Sequence, residues 1–191
     1  MLHKGTVLLK GNVIVLRRFI AKDLIPIYEN CWRYYDVWKW TNYKPMNTLD
    51  EVKTNANMFT ENWLGAYKRD NRYNWAIIEK LSGQVIGRMF GMHPDDEKRE
   101  IELAFELGPG WWNKGYMTEA VKIVLRFFIE DVGMNRVYCN HADKNLASGK
   151  VMQKAKMKQI GVTFGGCICN GGTFNKVNYE MTRDDYFSLK R

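Results

Sequence analysis

Four cysteines in 191 residues, at 31, 139, 167 and 169, are too few and too irregularly spaced for a disulfide framework. They are expected as reduced thiols with no redox role. No stretch approaches the ~18 consecutive apolar residues of a membrane span, and the N-terminus lacks the unbroken apolar core of a secretory signal. The expectation is a cytoplasmic chain that does not touch a membrane. Internal repeats and low-complexity tracts are also missing, which excludes solenoids and disordered tails. The formal charge is +8 and the pI about 9.3, yet the basic residues form no dense Lys/Arg block. That balance favours polyanionic surroundings, either a phosphate-bearing cofactor or an RNA-rich assembly such as the ribosome. Direct nucleic-acid binding is not expected from scattered charge.

What is present suits one folded domain spanning 1–191. Hydrophobic residues make up 46% and charged residues 26%, and the length suffices for a core without staples. Val13 to Phe19 is rich in β-branched residues and predicts a first strand. Asp23 is the expected N-cap of a helix running to about Trp32. Trp32 to Trp40 is the most aromatic piece, expected either to cover the sheet or to line a binding cleft. Thr48 and Glu51 stand at capping-box spacing, and Val52, Ala56, Phe59, Trp63 and Tyr67 follow at helical intervals. Tyr73–Glu79 and Gln84–Phe90 predict two strands joined through Leu81-Ser82-Gly83, and a charged turn at 95–99 leads to a third. Downstream, a strand over Arg136–His141, a helix from about Asn145 to Met157, and a hairpin turning at Asn170-Gly171-Gly172 complete the chain.

The stretch from Ile101 to Phe128 organises the rest. Ile101 to Leu107 is strand-like, Gly108-Pro109-Gly110 breaks the strand, and from about Tyr116 the apolar residues recur at helical spacing. A helix that starts just past a glycine loop offers unpaired N–H groups and the positive end of its dipole, a natural seat for phosphate. Two nucleotide motifs fail here. Lys114 is followed by Gly115 rather than Ser or Thr, and Asn113 stands where the dinucleotide fingerprint needs its third glycine. Glu102 and Glu106, four residues apart on a strand, share one face.

Glu102-Leu-Ala-Phe105, then Trp112-Asn113-Lys114-Gly115-Tyr116-Met117-Thr118-Glu119-Ala120, and downstream Asn145-Leu-Ala-Ser148 resemble the acetyl-CoA motifs of the Gcn5-related N-acetyltransferases (GNAT). Among these they resemble most the branch that acetylates ribosomal-protein N-termini. The resemblance implies an α+β GNAT fold: a mixed, mostly antiparallel sheet flanked by helices, with one parallel β-α-β crossover. It implies acetyl-CoA as co-substrate, with no metal. Backbone groups of Phe105 and Leu107 would pair with the pantetheine arm in the manner of an added strand. Amides around Trp112, Asn113, Lys114, Gly115, Tyr116, Met117 and Thr118 would hold the pyrophosphate. Asn145 would bond the pantetheine arm, and Lys150 and Lys154 would attract the ribose phosphate. Glu102 is the first choice of general base and Glu106 the second, with Ser148 near the thioester to help protonate the thiolate. Where many members carry a tyrosine acid this chain has Met152, and Lys156 replaces a customary glycine.

The acceptor expected from this branch and from the charge is a protein N-terminus, ribosomal-protein-like. A polyamine or aminoglycoside is the runner-up, and two other readings stay open: a basic RNA- or ribosome-binding module, and an acyl-CoA binder without catalysis. Whether the chain forms a homodimer is also left open. Cys139-x-His141 and Cys167-x-Cys169 would approach a zinc site only if their strands were neighbours.

Overall fold

The computed structural model describes residues 1–52, 54 and 67–191. An eight-stranded sheet runs in the order β1-β2-β3-β4-β5-β6-β8-β7. The strands are β1 Leu9–Lys10, β2 Ile14–Arg17, β3 Tyr73–Glu79, β4 Val85–Asp95, β5 Glu100–Leu107, β6 Arg136–Ala142, β7 Lys158–Cys169 and β8 Gly172–Thr182. Every pairing is antiparallel except β5 with β6. That pair is joined by helix α3, Tyr116–Arg126, which continues through a wider turn at Phe127–Val132. Among the described residues this is the single parallel crossover of a mixed α+β sheet, the arrangement expected from the sequence.

α3 forms because Met117, Ala120, Val121, Val124 and Leu125 line one buried stripe, the i, i+3, i+4 spacing of a helix laid on a sheet. On that face of the sheet the stripe meets Trp75, Met89, Ile101 and Leu103, with Phe127 and Phe128 beside them. Fully burying each such side chain stabilises the fold by about 1.5–3 kcal/mol. The opposite face is covered by α1 (Leu24–Ile27), the wide turn Tyr28–Trp32 and α2 (Tyr35–Trp38). There Phe19, Ile27, Cys31, Trp32 and Trp38 pack on Ala76, Ile78 and Val85. Two of the five aromatic residues of that segment are therefore core, since Trp32 and Trp38 are 1% and 3% exposed.

Several local expectations need correction. The first strand is shorter than expected, ending at Arg17, and pairs with a two-residue strand, β1, that carries no periodic signal of its own. A 3₁₀ turn over Ala21–Asp23 comes first, and Asp23 then stands at the N-cap position of α1 as expected but makes no side-chain cap bond into it. The Asp23 carboxylate reaches back to the Ile20 N–H at 2.9 Å and takes Arg17 in a fork at 2.5 and 2.8 Å. Thr48 and Glu51 do form the reciprocal cap, with Glu51 N–H donating to Thr48 Oγ1 and Thr48 N–H to Glu51 Oε2, each at 3.1 Å. Ala56, Phe59 and Trp63 of the helix predicted to follow lie outside the described residues. A short C-terminal helix, α5 (Arg183–Ser188), capped by Thr182, was not anticipated from periodicity. Among the described residues no helix is long and apolar enough to cross a membrane.

Candidate active site

β5 and β6 pair only over Glu100–Glu102 against Arg136–Tyr138, and then separate. The direction of the β5 backbone groups follows from its two ends. Gly108 N–H donates to Ile86 carbonyl on the β4 side, and Arg99 carbonyl accepts from Arg136 N–H on the β6 side. Strand alternation then turns the N–H and C=O of Leu103, Phe105 and Leu107 toward the gap. A cleft of about 590 Å³ opens there, bordered by β5, β6, the Gly115 loop and the first turns of α3 and of α4 (Leu146–Lys154).

At one end of this cleft the loop 112–115 is built for close approach. Asn113 and Gly115 adopt left-handed backbones (φ +61° and +86°), and a Cβ on Gly110 or Gly115 would meet only open space. No side chain caps the N-terminus of α3 among the described residues, so the amides of Tyr116, Met117 and Thr118 remain as donors. Lys114 Nζ donates to Gly110 carbonyl at 2.7 Å, bracing the loop. Trp112 Nε1 donates to Leu107 carbonyl at 2.7 Å. One of the two backbone groups expected of Leu107 is thus already occupied, which leaves its N–H together with both groups of Phe105. Asn145 caps α4 through an Oδ1 bond from Ser148 N–H at 3.3 Å. Asn145, Ser148 and Lys150 all line the cleft, and Met152 is fully buried beneath it.

The two glutamates of β5 have different surroundings although they share a face. Glu102 borders the cleft, half-buried, and one carboxylate oxygen accepts from Asn140 Nδ2 at 2.8 Å. Glu106 is buried, accepts from Trp32 Nε1 at 2.6 Å, and lies 3.8 Å from the Arg88 guanidinium. Asn140, Trp32 and Arg88 carry no motif signal, and only strand register brings them to these carboxylates. Next to Asn140, burial pushes the His141 pKa below its ordinary value, favouring the neutral ring. Its Nδ1 faces Ala142 carbonyl at 2.7 Å while Nε2 has no partner among the described residues.

On the side away from α3, Asp36, Trp40 and Tyr43 line the cleft together with Phe90 and Ile168. Their wall is fastened to the tip of the β7–β8 hairpin by Asn170. Its Nδ2 donates to Trp38 and Tyr43 carbonyls at 3.0 and 2.7 Å, and its backbone N–H to Thr41 carbonyl at 2.8 Å. Gly171 lies so close to Lys39 that a Cβ would fall 2.9 Å from its side chain. The two cysteine pairs lie on β6 and β7, which β8 separates. No group of three or more metal-capable side chains occurs among the described residues.

Residues 14–158 match the family model described as an acetyltransferase (GNAT) domain. The chain belongs to the GNAT acetyltransferases. With that family comes an acetyl-CoA-dependent N-acetyltransferase activity. The acetyltransferase is 25% identical over 179 residues to the uncharacterized N-acetyltransferase YnaD of Bacillus subtilis, covering 91% of this chain and 95% of that one. It is 24% identical over 149 residues to the uncharacterized N-acetyltransferase p20 of Bacillus licheniformis, covering 78% and 81%. In fold it resembles the ribosomal-protein-S5-alanine acetyltransferase of Vibrio fischeri, with a TM-score of 0.77 at 15% identity over 94% of this chain and 98% of that one. It also resembles the microcin C7 self immunity acetyltransferase MccE, solved with acetyl-CoA and AMP, with a TM-score of 0.73 at 18% identity over 90% and 93%.

Proposed function

We propose that this N-acetyltransferase moves the acetyl group of acetyl-CoA onto a protein N-terminus, ribosomal-protein-like, with Glu102 as general base. One observation carries the reading: β5 and β6 part immediately after Glu102 and Tyr138, so a carboxylate stands where an extended thioester arm would end. The co-substrate supplies an activated acetyl group and a thiolate leaving group. Inward-facing N–H and C=O groups of Phe105 and the N–H of Leu107 would pair with the pantetheine amides, and the amides at Tyr116 to Thr118 with the pyrophosphate.

An amine must be neutral to attack. An α-amino group, with a pKa of about 8, gives up its proton at pH 7 far more readily than a lysine at about 10.4. Asn140 holds one oxygen of Glu102, leaving the other to take that proton directly or through water. The amine then bonds to the thioester carbon, a β5 amide steadies the oxyanion, and the C–S bond breaks. The departing thiolate, with a pKa of about 8.5, is a fair leaving group, and Ser148 or water returns the proton. This matters because Met152 is an apolar, fully buried side chain and donates none. Glu106 is the weaker candidate for base, since Trp32 and Arg88 already engage its carboxylate.

The acceptor end supports a narrow, cationic group before deprotonation. Asp36 and Glu102 supply negative charge there, and Trp40, Tyr43 and Phe90 supply aromatic surface.

The test is thiol release from acetyl-CoA against peptides bearing ribosomal-protein N-termini, polyamines and aminoglycosides, with the native chain and Glu102→Gln. Turnover of a peptide, with kcat lowered about 10²- to 10⁴-fold in the variant, is the expected outcome. Turnover of the small amines alone would reassign the acceptor. CoA binding with no acceptor turned over would remove catalysis from this reading.

A further inference from the structure

Glu79 ends β3 and opens the hairpin into β4, far in sequence from the Gly115 loop, yet its carboxylate is bonded to that loop. On its own hairpin it accepts from Ser82 Oγ at 2.6 Å. From across the sheet it accepts from the Tyr116 hydroxyl. Tyr116 is the first residue past the 112–115 turn, so the carboxylate ties the exit of the loop to the β3–β4 hairpin. Glu79 is only 9% exposed and is not among the residues lining the cleft. It stands behind the loop rather than facing a ligand.

The arrangement has two opposed consequences for an anionic ligand. A carboxylate near a diphosphate seat has the wrong charge sign, and Lys114 nearby offsets it only in part. Against this, the loop contains two left-handed residues, whose ordering costs conformational entropy at binding unless the free protein has already ordered them. The carboxylate keeps its charge beside that seat because Ser82 and then Tyr116 donate to it, holding its pKa below the ordinary carboxylate range.

We infer that Glu79 is a positioning residue for the diphosphate of coenzyme A: by fixing Tyr116 it sets the end of the loop 112–115 and the α3 amides in their binding geometry before the ligand arrives. The inference rests on reading this loop as the coenzyme A seat.

The direction of one substitution separates positioning from simple electrostatics. Glu79→Gln keeps the size and removes the charge, but an amide offers one acceptor oxygen and a competing NH₂ donor, so Ser82 and Tyr116, which donate to different carboxylate oxygens, cannot both be served as before. Electrostatics alone would tighten binding of a polyanion, whereas loss of loop order weakens it. Tyr116→Phe is the milder variant, removing only the hydroxyl that reaches Glu79.

Calorimetric titration of the full chain with coenzyme A is run on the native protein, Glu79→Gln, Tyr116→Phe and the double variant, with melting curves of each without ligand. Each single variant is expected to weaken binding about three- to ten-fold, with the double variant no weaker than the worse single one, because both remove the same link. The inference is overturned if Glu79→Gln binds as tightly as the native chain or tighter, or if the two losses multiply. A lowered melting temperature with unchanged affinity likewise reduces Glu79 to a structural role. Should Glu79→Gln not fold, Tyr116→Phe alone decides, since unchanged affinity there overturns the inference. If the native chain itself does not bind coenzyme A, the seat and the inference fall together.

Discussion

Lys156 is a lysine where the backbone asks for glycine. It follows α4 with φ +64°, and Met157 N–H closes back onto Met152 carbonyl at 3.0 Å, the bonding pattern of a Schellman cap. A left-handed conformation crowds a Cβ, which glycine lacks. Lys156→Gly therefore relieves strain but adds freedom to the unfolded chain, and the net expectation is a gain of about 0.5–1 kcal/mol. Urea denaturation should show a raised midpoint with an unchanged slope, and a midpoint at or below the native one would reject the strain. At the same scale, the two glutamates of β5 show how one residue type takes two roles. Glu102 stays half-buried at the cleft with Asn140 on one oxygen, and Glu106 is buried against Trp32 and Arg88.

Among the elements, the β7–β8 hairpin differs most from what its sequence announces. β7 is an edge strand with almost every side chain exposed, and Phe164 and Ile168 are 86% and 75% exposed. Ile168 reaches the cleft wall, and the rest of its contribution to the site comes from the turn that follows. Asn170 fastens residues 38–43, which carry Trp40 and Tyr43, to the hairpin tip. Asn170→Ala removes two side-chain bonds to Trp38 and Tyr43 carbonyls. Each net bond is worth about 0.5–1.5 kcal/mol, so a loss of about 1–3 kcal/mol is expected. Amide exchange should quicken over 39–43 while α3 stays protected. Uniform quickening across the sheet would show instead that Asn170 supports the whole fold rather than one wall.

Over the whole molecule, charge and burial predict a stepped response to acid. Burial lowers the pKa of His141 in the folded chain, against weaker upward pulls from the Ala142 carbonyl and Asp143. The unfolded chain therefore takes up that proton first, near pH 6.5. Stability is complete above this value and falls as the pH drops through the window just beneath it. Glu79 adds a lower step, because Ser82 and then Tyr116 hold its carboxyl below the ordinary carboxylate range. Its stabilisation is present above that range and is lost as the pH falls through the depressed folded value. Melting temperature measured against pH should show both limbs, with the upper one gone in His141→Asn; an unchanged upper limb would assign it elsewhere. Much of the architecture behind this behaviour was legible from local pattern. The buried stripe of α3, the hairpin turns at Ser82-Gly83 and Asn170-Gly172, and the order of β5, glycine loop and helix depend on residue spacing and turn chemistry within a few positions. The acetyltransferase motif was legible for the same reason, since its loop and helix are contiguous. That Glu102 stays half-buried beside Asn140 while Glu106 is buried against Trp32, that Glu79 reaches Tyr116 and that Asn170 closes the far wall were decided by the tertiary structure alone, because each is a contact between chain segments more than thirty residues apart, and neither propensity nor periodicity carries a distance across a sheet.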